Sequence, residues 1–162
     1  MLSLKQKQSG FTIVELLIVI VIIGILAGLV ITTFVGIQAR GRDSERRTDL
    51  KAIQGQLEAY FADYGGYPTR DDLMNASPNT TFRAGNKITL DVKALSDPKG
   101  NGNGLGGTTS ATQYSYVPGP ASCVSPTNAT GGPGPAGTVC ITYTLQAASE
   151  ANAGTNFTIT NQ

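Results

Sequence analysis

Glu15 is the first residue that could do chemistry, and it stands where a carboxylate is costly. It lies four positions into the apolar run that opens at Phe11 (FTIVELLIVIVIIGILAGLVITTFVGIQA). An acidic side chain at the centre of a membrane helix costs on the order of 2.5–3.5 kcal/mol, and less near an end. Two readings follow. Glu15 sits at the level of lipid headgroups, or it takes a cationic partner. A cut between Gly10 and Phe11 would create such a cation, the α-amino group of Phe11, one helical turn away. Pairing with the amine of a neighbouring chain would set a stagger between packed helices.

The other reactive residues narrow the chemistry further. The chain has no His, which excludes Ser-His-Asp and Cys-His nucleophilic sites and removes the commonest neutral-pH acid–base group and metal ligand. Cys123 and Cys140 are the only cysteines. In an oxidising compartment an even pair suggests a disulfide, closing a Gly/Pro-rich loop and stabilising by roughly 3 kcal/mol. Two reduced, buried thiols are the alternative. Asp71, Asp72, Asp91 and Asp97 could offer oxygens to Ca²⁺, but no EF-hand spacing is present, and solvated or helix-capping roles suit them better. Asp71 and Asp72, following Thr69, fit a helix N-terminus. The cluster Arg40, Arg42, Asp43, Glu45, Arg46, Arg47, Asp49 and Lys51 could bind phosphates or lipid headgroups. More often such a cluster is a solvated helix face. The sequence calls for no metal and no cofactor.

The elements that must hold these residues are unevenly composed. Lys and Arg number 12, Asp and Glu 11, and charged residues are only 14% of the 162; so near-neutral a balance gives no electrostatic footprint for direct nucleic-acid binding. From Leu16 to Ala39 no residue is charged, a stretch of 24 that spans roughly 36 Å as a helix, enough for a bilayer core. After the charge cluster, Leu50, Ile53, Leu57, Tyr60 or Phe61, and Tyr64 step by three or four and share one helix face. Gly65-Gly66 and Pro68 stop that helix. With no Pro before Pro68, residues from about 12 to 64 can form one long helix, with Gly24, Gly28, Gly36, Gly41 and Gly55 as points of weakness. Beyond it Lys87–Val92, Tyr114–Val117, Val139–Ala147 and Asn156–Thr160 read as short strands, with Val139, Ile141, Tyr143 and Leu145 on one face. Three or four such strands need a packed face to be stable, and the stripe of the 50–64 helix supplies it. The fold class is α+β, a long helix laid on a small antiparallel sheet. The divisions are 1–10, 11–39, 40–64 and 65–162.

A secretory signal peptide does not fit the N-terminus, because the apolar run is too long and the small residue, Gly10, precedes it. A plain signal anchor remains open. The segment SGFTIVELLIVIVIIGILAGLVI, residues 9 to about 32, strongly resembles the N-terminus of type IV prepilins and pseudopilins. That resemblance implies a leader Met1–Gly10, cut by a prepilin peptidase at Gly10–Phe11, with N-methylation of Phe11 and a subunit-assembly role for Glu15. Thr12, Ile13 and Val14 complete the usual run. Residues 49–69 (DLKAIQGQLEAYFADYGGYPT) resemble the end of the pilin helix and the Tyr-Pro turn after it. The Cys123/Cys140 loop resembles the C-terminal Cys loop of many type IV pilins. The Gly/Asn/Thr-rich loops after residue 100 depart from the compact pattern of major pseudopilins.

The resemblance implies a non-enzymatic filament subunit. Its partners would be the prepilin peptidase, other copies of itself, the inner-membrane assembly platform and the membrane. The precursor would be a single-pass membrane protein with its globular domain outside the cytoplasm, and the mature form would stand in a cell-surface pilus serving adhesion, motility or DNA uptake. A type II secretion pseudopilin is the alternative machine. A monomeric membrane-anchored surface binding protein is the alternative outside the family.

Overall fold

A computed structural model describes residues 10–74, 86, 88–90, 92–100, 104–128 and 131–161. Leader residues 1–9 and Asp91 lie outside them. The elements run α1 (Ile13–Tyr64), α2 (Arg70–Met74), a 3-10 turn (Val92–Leu95), β1 (Ser115–Gly119), β2 (Thr142–Ala148) and β3 (Asn156–Asn161). The chain divides into two compact units, Met1–Gln38 and Ala39–Gln162, and α1 runs through both.

In the first unit α1 is apolar all round. Gly24 and Gly28 leave it unbroken, as Gly36 does. Its large side chains from Phe11 to Ile37 are each more than half exposed. Among the described residues it is the one helix long and apolar enough to cross a membrane. A helix without a polar face is stable only where something apolar surrounds it, in lipid or in a protein core.

In the second unit the same helix becomes one-sided. Leu50, Ile53, Leu57 and Tyr60 are buried at three- and four-residue spacing, with Phe61 and Tyr64 partly buried beside them. Each buried Leu or Ile contributes about 1.5–3 kcal/mol relative to exposure. The helix ends where Gly65 takes a positive φ of 72° and its N–H returns to the Phe61 carbonyl at 2.7 Å, the left-handed cap that glycine permits.

The sheet is antiparallel in the order β1-β2-β3, with Tyr116 opposite Leu145 and Leu145 opposite Ile159. Tyr143, Leu145 and Ala147 of β2 are buried with the helix stripe in one cluster. Tyrosine hydroxyls add polar ties within this unit. Tyr143 and Tyr67 donate to Glu58 at 2.9 and 3.1 Å, and Tyr114 donates to Asp49 at 2.8 Å. Tyr116 donates to the Pro68 carbonyl at 2.8 Å.

Two local expectations change. Ile88–Leu90 join no strand, and Val92 opens a 3-10 turn; Lys87 lies outside the described residues. Ile141 does not share a face with Tyr143, because it is 56% exposed while Cys140 is fully buried. Cys140 is tied to Cys123, and its carbonyl accepts the Tyr67 N–H at 2.7 Å. These ties turn residue 140 inward, so the alternation slips by one before β2 begins at Thr142.

Candidate functional site

At the N-terminus Gly10 and Phe11 precede α1, both exposed, with Phe11 at 89%. Thr12 caps the helix. The Glu15 carboxylate accepts the Thr12 N–H at 2.8 Å and the Thr12 hydroxyl at 2.6 Å. The Thr12 Oγ1 in turn accepts the Glu15 N–H at 3.3 Å. This is a reciprocal capping box, which satisfies donors that the first helical turn would leave orphaned. Among the described residues Glu15 is therefore held by its own helix end, through Thr12. The signal was present as Thr12-x-x-Glu15, a spacing that a search for charge partners passes over.

A second polar centre lies where α1 turns one-sided. Arg46 is buried, with its side chain 1% exposed. Its guanidinium donates to both Asp97 oxygens at 2.6 and 3.0 Å and to Asp43 at 2.8 Å, and it stands 3.5 Å from Glu150. Asp43 also accepts the Ser149 hydroxyl and the N–H groups of Glu150 and Ala151 at 2.7–3.0 Å. Arg42 grips Glu150 through two nitrogens at 2.8 and 2.6 Å, and Lys99 reaches it at 2.5 Å. Three cations thus meet three carboxylates. Burial alone would raise the Asp43 carboxyl, but the Glu150 N–H, Ser149, the Ala151 N–H and Arg46 together hold it well below the usual range. Arg42 and then Lys99 lower Glu150 to about 2. Asp97 raises the Arg46 guanidinium further, against the opposing effect of burial. Sequence reading placed the cluster on a helix face and did not connect it to Asp97, Lys99 or Glu150.

The remaining acids are also committed. Asp72 bonds the Thr69 hydroxyl at 2.6 Å and the Ser125 hydroxyl, while its N–H donates to Thr69 Oγ1 at 3.2 Å, which is the cap of α2. Asp71 is exposed and pairs with Arg70 at 3.3 Å. Among the described residues no group of three potential ligands is placed to hold a metal ion. Cys123 and Cys140 are bonded, with Cα atoms 5.0 Å apart. Their loop is fastened to the helix end by Tyr60 with Thr127, and by the Thr69 N–H donating to Ser125 at 2.7 Å.

The arrangement holds an apolar helix with a capped, accessible N-terminus and a separately stabilised globular unit. It offers chemistry for association rather than for turnover. The family model described as the prokaryotic N-terminal methylation motif matches residues 5–31. The chain is 40% identical over 101 residues to the type II secretion system core protein G of Escherichia coli (strain K12), covering 59% of this chain and 70% of that protein. The chain belongs to the type IV pilin and pseudopilin family. It is also similar to the type II secretion system core protein G of Aeromonas hydrophila, 37% identical over 46% of this chain and 52% of that one. Similarity extends to the type IV major pilin protein PilA of Myxococcus xanthus (strain DK1622), 35% identical over 52% of this chain and 39% of that one. The chain thus spans about half the length of the Aeromonas relative and less of the Myxococcus one. No solved structure matches.

Proposed function

We propose that this chain is a filament subunit of the pseudopilin kind, serving a type II secretion machine. The comparisons favour that machine over the cell-surface pilus, since secretion-system relatives recur among them. The observation that carries the subunit role is the methylation motif at residues 5–31 leading into an apolar helix surface that is exposed all along. In this reading the leader is removed at Gly10–Phe11 by a prepilin peptidase, and Phe11 becomes the methylated terminus. The helix leaves lipid for the filament core, where Glu15 exchanges Thr12 for the α-amine of a neighbouring copy. The assembly platform of the inner membrane is the remaining partner. The disulfide Cys123–Cys140 supports a globular unit on the oxidising side of that membrane.

The second reading, a type IV pilus subunit, rests on the likeness to the Myxococcus pilin. Intact-mass and N-terminal peptide mass spectrometry on sheared and membrane fractions tests the shared part. A terminus at Phe11 carrying one added methyl is expected. A terminus at Met1 in a protein that never leaves the membrane fraction would move the assignment to a monomeric anchored binder. Glu15→Ala is expected to abolish filaments while insertion and cleavage persist. Deleting the gene separates the two machines: loss of secreted proteins with surface pili intact supports the pseudopilin, and the converse supports the pilus.

A further inference from the structure

Beside the Arg46 centre, Arg40, Ser44 and Arg47 of α1 line a cavity of about 340 Å³ with Asp43, Ala151 and Asn152. Positions 40, 44 and 47 repeat at four and three residues, so they share one helix face. Among the described residues Arg42, Arg46 and Lys99 are matched by Asp43, Asp97 and Glu150. Among the described residues Arg40 and Arg47 enter no ion pair and are the surplus cations of this end of the unit. The Asp43 carboxylate that reaches the cavity is already occupied by four donors, from Arg46, Ser149, Glu150 and Ala151.

Arg47 is also pre-set. Its guanidinium carbon lies over the Phe157 ring, 4.3 Å from the centroid. Stacking occupies the face of the guanidinium and leaves its in-plane N–H fork open, the geometry that matches a phosphate. The Ser44 hydroxyl and the Asn152 amide are further donors at the rim.

Chain position selects the kind of phosphate. Arg40 is the first charge after the uncharged stretch Leu16–Ala39. If that stretch fills a hydrocarbon core of about 30 Å, Arg40 falls in the headgroup layer and Arg47 about 10 Å beyond it at 1.5 Å per residue. We infer that this cavity is a binding site for the phosphate of an anionic membrane lipid, gripped by Arg40 and by Arg47 stacked on Phe157. The inference rests on the apolar helix being a membrane anchor, and it is independent of which filament the subunit builds.

The test reconstitutes the full chain into vesicles of phosphatidylcholine with phosphatidylglycerol and reads retained lipid by native mass spectrometry. Co-flotation with pure phosphatidylcholine vesicles reads anchoring separately from headgroup binding. Wild type is expected to retain phosphatidylglycerol in preference to phosphatidylcholine. Arg47→Gln should lower that retention about fivefold, and Arg40→Gln with Arg47→Gln about thirtyfold, from about fivefold per juxtamembrane cation. Phe157→Leu keeps an apolar side chain on β3 but removes the stack, and should lower retention while every charge is kept. Lys51→Gln removes the same charge elsewhere on α1 and should leave retention unchanged. Equal loss in Lys51→Gln, or lipid retained in the ratio of the vesicle, would overturn the site. Displacement of the lipid by inorganic phosphate at equal concentration would overturn the lipid assignment in favour of a soluble phosphate.

Discussion

Replacing Arg46 with Met removes one cation from the middle of three carboxylates, at a position of similar length with almost no access to water. Asp97, whose side chain is 0% exposed, would keep among the described residues only the Lys99 N–H at 2.8 Å. Asp43 would keep Ser149 and two backbone N–H groups. Breaking a buried pair by deleting one partner costs about 3–5 kcal/mol, chiefly because the other charge stays buried and unpaired. Against a domain stability of about 5–15 kcal/mol that is a large fraction. It corresponds to a fall in melting temperature of about 10–20 °C for a unit of this size. Thermal and urea unfolding of the full chain in detergent micelles, followed by tyrosine circular dichroism, measures it. Arg46→Met with Asp97→Leu should recover most of the loss, because the pair is then replaced by apolar groups that leave no orphan. A loss below about 1 kcal/mol in the single variant, or a double variant no more stable than the single, would refute the reasoning.

Acid should reach the same centre by another route. Asp43 and Glu150 have depressed values in the folded state, with Glu150 at about 2, so their contribution is complete above the ordinary carboxylate range near pH 4. It is lost as pH falls from there toward 2, and urea midpoints across that window should decline. At the alkaline end burial raises Tyr60 and Tyr67 to about 12, and raises Tyr114, Tyr116 and Tyr143 further. Their contribution is present below pH 10 and lost as pH rises toward and beyond 12, so the tyrosinate absorbance of these five should appear together with unfolding rather than before it. Cys123→Ser with Cys140→Ser opens a loop whose ends are 17 residues apart, and should lower stability by about 3 kcal/mol in the same urea assay. Thr12→Ala removes one half of the capping box; amide exchange in the first turn of α1 should quicken by about fivefold, from a cap worth about 1 kcal/mol.

The sequence carried most of the architecture because its strongest signals are periodic. The stripe Leu50, Ile53, Leu57, Tyr60 can face only one way on a helix, and Tyr143 with Leu145 can face only one way on a strand. The Gly65 stop was legible for the same reason, since few other residues tolerate its φ. What escaped depends on contacts between distant parts of the chain. Nothing local marks Arg46 as the partner of Asp97, 51 positions away, or Glu150 as the acid that closes the centre. Ile141 shows the limit on the sheet: alternation placed it inside, and the anchoring of Cys140 turned it out. At the N-terminus the residues of the motif were plain, but the Thr12–Glu15 box is a hydrogen-bond pattern, and a search by charge does not find it.

The Arg46 centre also fixes an order of events. Asp43 is made early, yet its Ser149 and Ala151 partners follow 106 and 108 positions later. Until residues 149–151 are synthesised, Asp43 lacks three of its four donors and Arg42 lacks Glu150, and the helix stripe waits beside an unfinished sheet. A chain ending before Ser149 would still contain both Cys123 and Cys140 and could oxidise, yet it could not close around Arg46. The centre therefore closes only once the chain has been made as far as Ala151.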